Sequence, residues 1–151
     1  PQGFYGMIAQ LRGWLPDPIG GIYWVFLDNA YTSPYVPIYA GTRETAECYK
    51  NFDPTTYSNL SACWAIDFVD NLLYLKWQEA VKDLWQVRNP YEEQLFSERD
   101  HVDKEALALY EENPDKALDF LTSYSKGKME TVLEMYNQLH DMLIVKYSNS
   151  R

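Results

Sequence analysis

The chain has 151 residues, with 13 Lys and Arg against 22 Asp and Glu, a formal net charge of −9, 46% apolar residues and 16% aromatics. That apolar mass excludes a disordered chain. Acidity without a basic patch excludes a nucleic-acid binder, whose affinity comes mostly from phosphate neutralisation. No apolar run approaches the roughly 20 residues of a membrane-spanning helix. The length predicts one domain, burying about 70% of its unfolded surface. Pro1 stands where an initiator Met is expected, and no leader-like segment follows it. The chain therefore reads as cut from a longer one, with any targeting signal upstream and its compartment open.

Residues 1–57 read as a strand-and-loop part that holds six of the seven Gly. Phe4 to Leu11 is predicted as a strand. Trp14-Leu15-Pro16-Asp17-Pro18, followed by Gly20-Gly21, is turn chemistry. Ile22 to Leu27 is β-branched and aromatic throughout, which predicts a buried central strand, apolar on both faces. Asp28-Asn29-Ala30 ends it. Pro34 and Pro37 limit Tyr31 to Ala40 to an extended, edge-like segment. Residues 41–57 read as loop.

Residues 58–151 read as helical. Ile66, Val69, Leu73, Trp77, Ala80, Leu84 and Val87 recur at steps of three and four, one stripe of a helix from Ser61 to Val87. Asn89-Pro90 is predicted to stop it and to start the next, with Glu92 completing a capping box. That second helix is predicted to reach about Glu112. Asn113-Pro114-Asp115 repeats the start signal for a third, predicted to end near Ser123. Ser125-Lys126-Gly127 predicts a break, because Gly costs about 1 kcal/mol against Ala inside a helix. A last helix is predicted from Met129 to Tyr147.

Little in the sequence looks catalytic. His101 and His140 stand alone among helical charges and read as solvated surface. No Cys or His pair has short metal-ligand spacing, so no metal site is expected. There is no Gly-x-Ser-x-Gly elbow and no phosphate loop. Cys48 and Cys63 read as free thiols, small buried hydrophobes rather than a disulfide framework. A terminal Pro1 amine is a conceivable general base, but a cut that happened to fall there is the simpler reading. Arg12 is the sole basic residue before Arg43. Amid aromatics it is either a carboxylate clamp or a structural partner for Asp17 or Asp28. Tyr35, in the rigid Ser33 to Pro37 segment, and Trp64, at the start of the first helix, are candidate substrate contacts. Loop packing and core anchoring are the bland alternatives.

An ordered series of segments carries a resemblance. Gln10-Leu11-Arg12 and Leu15-Pro16 come first, then Ile22-Tyr23-Trp24 and the run Ser33 to Gly41. Ser61-Ala62-Cys63-Trp64 and Asn71-Leu72 follow, then Lys116-Ala117, Leu121 to Ser125, and Leu139 to Tyr147. Together they resemble the later part of bacterial dipeptidases that use an N-terminal cysteine nucleophile, from about Arg12 to Tyr147. Cys63 stands where that family usually has an aromatic. The resemblance implies an N-terminal-nucleophile (Ntn) hydrolase fold, a four-layer αββα sandwich. This chain would supply a few strands and then the helical C-terminal part, an α+β fragment of a larger domain.

The resemblance further implies dipeptide hydrolysis by a Cys whose own α-amine acts as base. Pro1 has no nucleophilic side chain, and neither Cys48 nor Cys63 is near the terminus. The nucleophile is therefore expected upstream, with no catalytic residue in this chain beyond Arg12 as a contributor. No cofactor is implied. The implied partners are a dipeptide and the missing N-terminal part of the same protein, without nucleic acid or membrane; self-association is left open. Two alternatives come from the residues themselves. One is a stand-alone helix-rich module binding a peptide or glycan through its aromatics. The other is a small enzyme pairing Arg12 with Asp17 or Asp28.

Overall fold

A computed structural model describes residues 5–148. Pro1, and Phe4 at the head of the first predicted strand, lie outside the described residues. The fold is α+β: three antiparallel strands, then long helices. Strand β1 (Tyr5–Leu11) is followed by a one-turn helix α1 (Asp17–Gly20), β2 (Gly21–Leu27) and β3 (Val36–Tyr39). A 3-10 turn at Glu47–Tyr49 interrupts the loop that leads to α2 (Ala62–Leu73). Helices α3 (Trp77–Glu112) and α4 (Pro114–Leu143) form a hairpin, and a π-turn, Ile144–Ser148, ends the described chain.

The strand order is β1-β2-β3, so the most apolar strand is central, as its composition predicts. Register pairs Ile8 with Trp24 and Met7 with Val25 on one side, and Trp24 with Pro37 on the other. Pro37 is tolerated because β3 is an edge, where a missing N–H need not break a ladder. The expectation that β2 is buried on both faces needs correction. Ile22 and Trp24 are buried, but Tyr23, on the opposite face, is 40% exposed. Helices cover only one side of the strand's middle. Trp24 meets Phe96 of α3 at 5.2 Å between ring centroids, and the amide of Tyr39 donates to Ser125 Oγ of α4 at 3.5 Å.

The helix boundaries differ from the sequence expectation at three places, and tertiary packing explains each. The predicted helix through Val87 breaks at residues 74–76. Tyr74 and Leu75 donate to the carbonyls of Asn71 and Leu72, which tightens the last turn of α2. The corner lets Trp77 stack between Tyr74, at 5.6 Å, and Tyr31, at 5.9 Å. Pro90 does not end α3, which runs straight through it. Pro90 and Gln86 are both exposed, so water can satisfy the carbonyl that loses its donor. Leu84 and Leu95, both fully buried, hold the helix on either side. Glu92, expected to cap a new helix, instead accepts the backbone N–H of Tyr35 at 3.2 Å.

Gly127 likewise does not break α4. Leu121, Ser125, Met129 and Val132 around it are fully buried, and their burial outweighs the glycine's cost. The cap at Asn113 forms as predicted: its Oδ1 accepts the N–H of Asp115 at 3.0 Å. A Cβ built on Gly127 meets nothing within 4 Å. Gly127→Ala is therefore expected to raise stability by up to about 1 kcal/mol, read as a higher urea midpoint with an unchanged slope.

Candidate functional site

The carboxyl end of β2 is the most chemically loaded place in the described fold. Strand β2 stops at Leu27, and Asp28 takes a left-handed conformation with φ 60°, which Asp tolerates better than most residues. The turn that follows is tied to α2. Asp70 Oδ1 accepts from Asn29 Nδ2 at 3.0 Å and from Thr32 Oγ1 at 2.5 Å. Asn29 Oδ1 accepts the N–H of Tyr31, and the Tyr136 hydroxyl of α4 donates to the carbonyl of Thr32 at 2.6 Å. The buried Asp70 thus fixes where Asp28 stands.

Opposite Asp28, the first turns of α2 present Cys63, Trp64 and Asp67. Trp64 Nε1 donates to the carbonyls of Asp53 and Thr56, both at 3.0 Å. This bond pins the preceding loop, and Phe52 packs on the indole at 5.7 Å between centroids. Asp28, Phe52, Pro54, Cys63, Trp64 and Asp67 line a cavity of about 190 Å³. A second of about 190 Å³, lined by Tyr5, Leu27, Cys48, Tyr49, Phe52 and Cys63, shares two of those walls. The result is a cleft with an acidic, aromatic half and an apolar half.

Its electrostatics favour bound protons. Burial, then the charges of Asp70 and Asp67, push the Asp28 carboxyl above the usual carboxylate range. Asp67 is raised for the same reasons, burial first and then Asp70. Burial followed by these carboxylates raises the Cys63 thiol, and burial raises Cys48. Both cysteines are free, and among the described residues neither has the cationic neighbour that would make it a reactive thiolate. Among the described residues, no ion pair neutralises Asp28, Asp67 or Asp70. Nor are any three His, Cys, Asp or Glu side chains there placed to share a metal ion.

A raised carboxyl binds its proton more tightly in the folded than in the unfolded state. The stability that Asp28 and Asp67 contribute is therefore fully present below the unfolded carboxyl value and is lost as pH climbs through the folded one. Asp67→Asn should raise the melting temperature at pH 7, by the equivalent of about 1 kcal/mol or less, and change it little near pH 3. Equal shifts in thermal melts at both pH values would count against this account.

The residues singled out from sequence do not converge. Trp64 lines the cleft. Tyr35 lies elsewhere, on a cavity of about 350 Å³ with Ile8, Ala9, Gln10, Trp24 and Phe96. Arg12 is buried at a third place, after β1. Its Nη1 is paired with Asp103 of α3, its Nη2 donates to the carbonyl of Ile19 at 2.6 Å, and its Nε donates to that of Gly20 at 3.3 Å. Its partner is Asp103, not Asp17 or Asp28. Tyr39 completes the group by donating its hydroxyl to Asp103 at 2.9 Å. His140, expected at the solvated surface, is half-buried, 5.5 Å from the Phe68 ring. Sequence reasoning missed Asp67, Asp70 and Phe52. The available signal was a strand ending in Asp-Asn, with more carboxylates on a nearby helix than its Lys and Arg could neutralise.

The family model of peptidase family C69 matches residues 4–89. The chain belongs to peptidase family C69. The match covers all three strands and α2, so Arg12 and every residue of the acidic cleft lie within the C69 region. Asp103, the partner of Arg12, lies beyond it. The C69 chain is also similar to a probable dipeptidase B of Streptococcus pyogenes serotype M1, at 21% identity over 144 residues. That alignment takes in 95% of this chain but spans only 29% of the relative's length.

Proposed function

We propose that this chain is the C-terminal portion of a dipeptidase whose cysteine nucleophile lies upstream, and that its own part is to build one wall of the substrate site. The observation that carries the reading is the cleft at the end of β2. A dipeptide presents a free α-ammonium and two side chains. Asp28 and Asp67 offer charge that no cation among the described residues neutralises, Trp64 offers an aromatic face for a cation, and the Leu27–Tyr49 half offers apolar cover. Membership of a peptidase family and the relative named a dipeptidase support the reaction class. The buried Cys48 and half-buried Cys63, both with raised thiols, support a nucleophile elsewhere, since the thiolate is the attacking form. Arg12 is in this reading a positioning residue, holding the corner between β1 and β2 on α3.

The test compares this chain with the full-length peptidase that ends in it. Assayed with an unmodified dipeptide, the chain alone is expected to give no turnover above background, while the full-length protein hydrolyses it. Robust hydrolysis by the chain alone would overturn the upstream nucleophile. A full-length protein that cleaves only longer peptides would overturn the dipeptide reading.

A further inference from the structure

The two cavities at the end of β2 adjoin each other, since Phe52 and Cys63 are walls of both. Their remaining walls differ in kind. Asp28, Pro54, Trp64 and Asp67 complete one, and Tyr5, Leu27, Cys48 and Tyr49 complete the other. Among the described residues, no charged side chain lines the second cavity. Cys48 is buried there, its thiol donating to the carbonyl of Met129 at 3.8 Å. Leu27 is half-buried, belongs to the apolar cavity alone, and is held through its backbone. It pairs with Tyr5 across the ladder, and its carbonyl accepts from the Ser33 hydroxyl. Its side chain is thus free to shape the cavity without carrying the turn.

Covalent geometry says which part of a dipeptide reaches this cavity. An α-amino nitrogen and the first side-chain carbon are bonded to the same Cα and stand about 2.5 Å apart. An ammonium seated against Asp28 and Asp67 therefore brings its own residue's side chain to the shared Phe52–Cys63 wall. The second residue's Cα lies about 3.8 Å further on, across the scissile bond. Size then selects among first residues. At about 30 Å³ for each water-sized group, a cavity of about 190 Å³ takes about six. That accommodates the four carbons of a leucine side chain and falls short of the seven of a phenylalanine.

On the proposed reading of the acidic half as the ammonium site, we infer that the Leu27–Cys48–Tyr49 cavity receives the side chain of the dipeptide's first residue and selects aliphatic ones of leucine size. Glycine leaves the apolar walls uncovered, and a phenyl ring overfills them. A carboxylate side chain loses its water beside two further carboxylates. Leu27 is the residue that sets the size limit.

The full-length peptidase tests this with four dipeptides and two amines. Its kcat/KM for Leu-Gly should exceed that for Gly-Gly about a hundredfold. Leu27→Phe should lower the ratio of kcat/KM for Leu-Gly to that for Ala-Gly about tenfold, and Leu27→Ala should raise the ratio of Phe-Gly to Leu-Gly about tenfold. Ratios unchanged in both variants overturn the inference, even in an active dipeptidase. Calorimetric titration gives a readout free of turnover. L-leucinol, which has the ammonium and the side chain, should bind at least about tenfold tighter than ethanolamine, which has the ammonium alone, and Leu27→Phe should erase the difference. Equal binding of the two amines overturns the inference. A leucinol preference that Leu27→Phe erases, in a protein that cleaves no dipeptide, supports the side-chain cavity and sinks the dipeptidase reading instead.

Discussion

Arg12→Ala is expected to destabilise the fold by about 3–5 kcal/mol, because it leaves Asp103 as a buried, uncompensated charge. The guanidinium is buried, and its Nη1, Nη2 and Nε donate to one carboxylate and two carbonyls. Removing it also takes away the donor that the carbonyl of Ile19 meets at 2.6 Å. The corner is tight: a Cβ on Gly20 would stand 2.7 Å from the Arg12 carbonyl oxygen. Arg12→Lys should recover only part of the loss, since one ammonium cannot meet three acceptors in the directions a planar fork does. Arg12→Met combined with Asp103→Leu should cost less than Arg12→Ala alone, because no unpaired charge is left behind. Urea melts of the four proteins decide the matter. A midpoint for Arg12→Ala within error of the parent would show that the pair is not what ties β1 to α3.

Asp28→Asn and Asp67→Asn, each made in the full-length peptidase, are expected to raise KM for a free dipeptide about tenfold, with kcat little changed. Each removes one charge-assisted contact to the substrate ammonium, and about 1.4 kcal/mol corresponds to a factor of ten. The double substitution should approach a hundredfold if the two act independently. An N-acetylated dipeptide carries no ammonium, so its slow hydrolysis should be insensitive to either change. Equal losses on free and acetylated substrates would mean that the carboxylates support the fold of the cleft rather than the substrate. Asp70→Asn is a useful contrast, because Asp70 holds the turn through Asn29 and Thr32 and is buried away from the cleft.

The central strand and the cap at Asn113 were legible because each rests on local chemistry: β-branched and aromatic residues in one case, an Asn-Pro start in the other. The α+β class and the peptidase family were legible from the order of segments. The two helix breaks predicted at Pro90 and Gly127 failed for one reason. Local propensity charges a few kcal/mol at most for an exposed Pro or a Gly, and the buried Leu84, Leu95, Leu121 and Met129 outweigh it. The break at residues 74–76 failed in the opposite direction, since nothing local demands it and only the stacking of Trp77 between two tyrosines reveals it. The site was half legible. Trp64 was singled out, but Asp28 meets Asp67 only after 39 residues of loop and helix have folded back. The partner of Arg12 lies further off still.

That separation bears on how the chain comes to be folded. The bonds that lock the sheet are all distant: Arg12 to Asp103 spans 91 residues, Tyr39 to Ser125 spans 86, and Thr32 to Tyr136 spans 104. The three strands can pair early through short connections, but the helices that cover them are synthesised last. At translation rates of about 5–20 residues per second, the strands would wait roughly 5–20 seconds for that cover. Throughout that interval strands that carry no charge of their own lack their helical cover, and chaperone capture of nascent chains should peak there rather than at the helical end.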